Sequence, residues 1–203
     1  MNNISLKYIL IGFAVSTFSV SCTKETDTTK TSSTPEHFIG ELYGGGIIVE
    51  VNKNTKGEQH GLIASLSDVS QKTAWSAGGA AGAALTNATS VTDGVYNSQL
   101  IKLTLGDNAL AYKFCANLND GNKTDWYFPS INEMLKLYYH QNIVNQVLET
   151  DNDVLTMKVA PEVYWTSTEL EGGAAYSINM VTGKIEFLNK QAELFRVRAF
   201  RRF

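Results

Sequence analysis

The chain has 203 residues, 43% of them hydrophobic and 18% charged, with 16 glycines, 3 prolines and 2 cysteines. That apolar fraction is too high for a disordered chain, two cysteines cannot staple a disulfide scaffold, and the length suits one domain plus a tail. A formal net charge of -3 excludes the basic face that non-specific nucleic-acid binding needs.

Lys7, an apolar run from Tyr8 to Val20, and Ser21 ahead of Cys22 have the form of a secretory signal over residues 1–21. The run is too short and too rich in Ser and Thr to span ~30 Å of hydrocarbon. Phe18-Ser19-Val20-Ser21-Cys22 resembles a bacterial lipobox, with Ser19 where Leu is usual. The resemblance implies that Cys22 carries lipid and becomes the mature N-terminus; an ordinary secretory signal that precedes a Cys is the alternative. Diacylglycerol plus an N-acyl group exceeds the two chains that stable anchoring takes. Residues 22–37 then form the lipidated Cys and a tether. Eight of the fourteen residues Thr23 to Glu36 are Ser or Thr, and none is a large apolar side chain that could offset the entropy of ordering. Lys24-Glu25-Thr26-Asp27 resembles the charged surface-export signals of Bacteroidetes lipoproteins, and Asp27-Thr28-Thr29 resembles the O-glycosylation motif of that group.

Residues 38–203 read as one α+β domain. Ile47–Val51 and Gly61–Ser65 are strand runs around a polar stretch with Gly57, hence a hairpin. Residues 74–90 are small and polar and read as a loop. Apolar residues at 110, 111, 114, 115 and 118 make a helical stripe over Ala109–Leu118, with Asp107 or Asn108 as N-cap and Cys115 as a small buried hydrophobe. Ser130-Ile131-Asn132-Glu133 is a capping box behind Pro129, opening a helix through Gln141, with a further turn or two at Ile143–Leu148. Strand pieces follow at Val163–Thr168, Tyr176–Met180, Ile185–Leu188 and Phe195–Phe200, with a turn at Thr182-Gly183. Helices in the middle and strands at both ends predict one antiparallel sheet joining the N- and C-terminal strands, with two central helices.

Phe38-Ile39-Gly40-Glu41, Tyr43-Gly44-Gly45-Gly46-Ile47-Ile48, His60–Ala64, Gly94 with Asn97, Cys115, Asp125-Trp126-Tyr127-Phe128-Pro129-Ser130, Tyr164–Glu169 and Val197–Arg201 occur in order. Together they resemble the domain family named after the C-terminus of the Legionella collagen-like adhesin. Phe128 and Thr166 stand where that family more often has Leu and Ser, and residues 70–92 match loosely. The resemblance implies a C-type-lectin-like fold. Most members have no assigned activity, and the namesake adhesin engages polyanionic glycans.

Six residues are the candidate ligand-binding set: Trp165, Thr168, Glu169, Arg196, Arg198 and Arg201. An aromatic face suits the C–H-rich face of a sugar, and guanidinium forks suit sulfate or carboxylate. The competing reading places Trp126 and Trp165 in the core and pairs the arginines, Arg202 included, with Glu169, Glu171 or Glu186. Calcium is disfavoured, because Asn117–Asp125 and Asp151–Asp153 lack EF-hand spacing and the sugar–calcium motifs of C-type lectins are missing. His37, His60 and His140 lack metal-ligand spacing, and no nucleophile elbow or phosphate loop is present, so no catalytic residue, metal or cofactor is expected.

Two function classes follow. One is a lipid-anchored adhesion or glycan-binding module at the outer-membrane surface, with a polyanionic glycan or a surface protein as partner. The other is a structural or protein-interaction lipoprotein of the envelope. An exposed aromatic and arginine groove near residues 165–201 favours the first, and burial of those groups favours the second.

Overall fold

The computed structural model describes residues 35–203 apart from Gly172. The signal, the lipobox with Cys22 and the tether as far as Thr34 lie outside the described residues.

Strands β1 (Leu42–Tyr43), β2 (Gly46–Lys53), β3 (Gln59–Ser65) and β9 (Phe200–Arg202) form an antiparallel sheet in the order β1-β2-β3-β9. The first and last strands of the domain thus share one sheet, as the sequence predicts. A second, mixed sheet runs β4-β8-β5-β6-β7, from β4 (Ser70–Thr73), β5 (Val163–Leu170), β6 (Ala174–Asn179), β7 (Ile185–Asn189) and β8 (Phe195–Val197). Its β5–β8 pair is parallel. One sheet was expected and two are present. The last strand run, expected as Phe195–Phe200, is split at Arg198-Ala199, where the chain passes from the second sheet to the first.

Both faces of the sheets are covered. Ile47, Val49, Leu62, Ala64, Tyr164 and Phe200 pack with α4 (Ile131–Thr150), which contributes Met134, Leu137, Val144 and Leu148. Their neighbours Ile48, Ile63, Trp165 and Val197 point the other way, into a core built with α2 (Gly94–Leu105) and α3 (Leu110–Ala116). Strands buried on both faces read as continuous apolar runs, and this is why Ile47-Ile48-Val49 does not alternate. Cys115 lies in that second core, fully buried, and burial pushes its thiol well above the ordinary range.

Local chemistry sets the element ends. Gly44 and Gly45 take positive φ in the β1–β2 turn, and a Cβ on Gly45 would stand 2.3 Å from the Asp120 carbonyl. Asn54 Oδ1 accepts from the amides of Lys56 and Glu58 in the β2–β3 loop. The helix opening at Ile131 runs unbroken to Thr150, so the expected extra turns belong to one element. Residues 74–90 are irregular except for a single turn, α1 (Ala80–Ala83). The N-cap of α3 is Ala109, with no side-chain cap; Asp107 and Asn108 lie in a preceding 3-10 turn, where Asp107 pairs with Lys113. Besides the single turn α1, three elements are additions: the two-residue strand β1, the polar edge strand β4, and α2. Helix α2 has no clean stripe because its buried face includes Asn97 and Ser98 while Leu103 is exposed.

Candidate functional site

The C-terminal arginines meet carboxylates, though not those expected. The Asp68 side chain, fully buried, accepts from Arg196 Nη1 at 2.9 Å, from Arg198 Nε at 2.8 Å and from the Tyr164 hydroxyl at 3.0 Å. Arg198, also fully buried, donates through Nη2 to the Met157 carbonyl at 2.7 Å. Burial first, then the Asp68 charge, pushes the Tyr164 hydroxyl above its ordinary value. Arg196 Nη2 reaches Glu162 at 2.8 Å and holds that carboxyl low. Arg201 grips Asp125 with Nε at 2.8 Å and Nη2 at 3.0 Å, a bidentate fork that lowers the carboxyl, and Nη1 donates to the Gly44 carbonyl.

The other three candidates face inward. Trp165 is fully buried, and its Nε1 donates to the Thr73 carbonyl at 3.1 Å. The buried Thr168 hydroxyl donates to the Ser90 carbonyl at 2.9 Å and accepts the Ile131 amide at 3.1 Å, so it serves the start of α4. Glu169 pairs with buried Lys190, while its Oε2 accepts from the Thr86 amide and hydroxyl and from the Asn87 amide. The six residues therefore serve separate internal networks instead of converging on an open groove. Glu186 of β7 meets the exposed Lys184, which lies just ahead of that strand. Trp126 is buried, with the Arg201 guanidinium over its ring.

Glu133 is the most heavily bonded carboxylate near the surface. Its Oε2 accepts from the Ser130 amide at 2.8 Å, the Ser130 hydroxyl at 2.9 Å and the Gly94 amide at 2.9 Å. Its Oε1 accepts from the Tyr127 hydroxyl at 2.9 Å and from Arg202 Nη2 at 3.2 Å. A Cβ on Gly94 would lie 2.4 Å from Glu133 Oε2, so glycine there lets the carboxylate reach the start of α2. The capping box announces Glu133 in the sequence; nothing local announces Asp68 or Lys190.

Above Glu133 lies a cavity of about 260 Å³ lined by Glu50, Asn52, His60, Thr92, Glu133 and Arg202. Cross-strand register puts Asn52 opposite His60, and places Glu50 and Arg202 on either side of Leu62. Lys136, one turn along α4, closes on Glu50 at 2.5 Å. Among the described residues no group of three His, Cys, Asp or Glu side chains is placed to hold a metal ion, and no helix is long and apolar enough to cross a membrane.

The crystal structure of a fimbrial protein from Bacteroides ovatus ATCC 8483 is similar in fold, at a TM-score of 0.53 and 17% identity. The alignment covers 76% of this chain and 43% of that one, so the chain spans less than half of its structural neighbour's length. No curated protein matches. The family model for the Lcl C-terminal domain matches residues 64–201, from the end of β3 into β9, while the motifs at Phe38–Ile63 lie ahead of the match. The chain belongs to the Lcl C-terminal domain family.

Proposed function

We propose that this protein is a cell-surface adhesion module of the bacterial envelope, tethered to the outer membrane through lipid on Cys22. Membership in the Lcl C-terminal domain family carries this reading, and the fimbrial structural neighbour is consistent with it. The last strand, β9, joins the N-terminal strands in one sheet by pairing with β3, which supports reading the fold as a C-type-lectin variant. Binding, not catalysis, is the activity in this reading. The partner is a surface protein or glycan engaged through side chains other than the buried arginine and tryptophan set. One observation favours the second class, an envelope lipoprotein with a structural or protein-interaction role: all six candidate residues already bond within the protein.

The test uses cells displaying the full chain. Wild type is expected to fractionate with membranes, to be protease-accessible from outside, and to raise adherence to host-cell or matrix surfaces. Cys22→Ser should release the protein or leave it unprocessed and abolish that gain. Surface display without any gain in adherence selects the scaffold reading, and unchanged membrane partitioning of Cys22→Ser refutes the anchor.

A further inference from the structure

We infer that the cavity beside Glu133 is a subsite for one uncharged sugar residue. This deepens the adhesion reading by giving it a ligand class at a site made of residues outside the arginine cluster. About 260 Å³ equals the liquid volume of roughly nine waters, the scale of a single pyranose rather than a polymer groove.

The cavity collects polar groups that the fold does not use. Asn52, His60 and Thr92, all exposed, make no side-chain hydrogen bond among the described residues, whereas Glu169, Arg198 and Arg201 are engaged inside the protein. They stand on two neighbouring strands and on the loop ahead of α2, so their free groups approach one volume from separate elements. Arg202 adds a guanidinium held in place. Nη2 donates to Asp93 at 3.0 Å and to Glu133 at 3.2 Å, and the group lies 5.6 Å from the Tyr127 ring centroid. Both carboxylate bonds leave from Nη2, which keeps donors of the fork available to a ligand. Amide, imidazole, hydroxyl, carboxylate and guanidinium groups together offer donors and acceptors, and a sugar hydroxyl needs both.

Charge selects the class. Glu50 and Glu133 line the cavity with Asp93 at its edge, against Arg202 and the Lys136 that caps Glu50. This set is balanced to slightly acidic. A sulfated or carboxylated glycan would be opposed by the carboxylates at close range, whereas a neutral sugar carries no charge for them to repel.

The full chain in a sugar-free zwitterionic detergent, titrated by saturation-transfer NMR with galactose, glucose, mannose, fucose and N-acetylglucosamine, tests the inference. At least one should bind with a Kd of roughly millimolar, and His60→Ala and Asn52→Ala should each weaken it about fivefold, the loss of one net hydrogen bond. Both side chains are exposed, so these variants should keep the wild-type melting temperature. Absence of binding by all five sugars, binding that ignores both substitutions, or tighter binding of a heparin disaccharide would overturn it. In the adherence assay, attachment that persists in saturating free sugar overturns the cavity assignment alone. Sugar binding without adherence overturns the adhesion reading alone.

Discussion

At the scale of single residues, burial decides what the arginines do. A guanidinium at zero exposure beside a carboxylate at zero exposure is a structural pair, since each charge left alone would carry a large desolvation penalty. Arg198→Ala should destabilise the domain by about 3–5 kcal/mol in chemical denaturation, because it strips a partner from Asp68 deep in the fold. Lys158→Ala removes an ion pair with Glu149 whose side chains are 53% and 61% exposed, and should cost less than about 1 kcal/mol. Equal effects of the two would show that the Asp68 cluster does not matter to stability. The Lys190–Glu169 pair follows the same rule, with Trp75 4.9 Å from the lysine and Ala84 supplying a carbonyl.

Among the elements, α4 is the one whose start organises its surroundings. Glu133 satisfies the Ser130 cap, the first amide of α2, the Tyr127 hydroxyl and Arg202 from one carboxylate. Glu133→Ala therefore leaves several buried donors without an acceptor, and a loss of about 3 kcal/mol or more is expected in thermal or urea unfolding. Glu133→Gln, which keeps one acceptor oxygen, should fall between the two. Hydrogen exchange at Gly94 and Ser130 checks the mechanism: both amides should exchange faster in Glu133→Ala while those of β6 do not. The capping box made this helix start readable in sequence, since both groups lie within one turn. The link to α2 was not readable, because Gly94 is 39 residues away and no periodic stripe announces α2.

For the molecule as a whole, acid should weaken the fold through carboxylates held low by arginine. Asp125 is lowered chiefly by its hydrogen bonds from Arg201, and Glu162 by its bond from Arg196. A carboxyl whose folded pKa is depressed contributes stability above its unfolded value, and that contribution is lost as pH falls through the folded value. The melting temperature is thus expected to drop as pH falls below about 4, the unfolded carboxyl range, and Asp125→Asn should flatten that decline. An unchanged acid slope in Asp125→Asn would show that the Arg201–Asp125 pair is not among its causes. The sequence by itself determined the α+β class, the β2–β3 hairpin, the start of α4, the buried Cys115 and the family, because these rest on periodicity, turn chemistry and short-range motifs. Only the tertiary structure decided that there are two sheets, that Asp68 binds Arg196 and Arg198, and that Trp165 and Thr168 face inward. Asp68 and Arg198 lie 130 residues apart and meet where the chain crosses between sheets, and long-range pairing of that kind leaves no local trace. The cavity at Asn52, His60 and Arg202 belongs to the same class, since cross-strand register, not sequence spacing, brings its walls together.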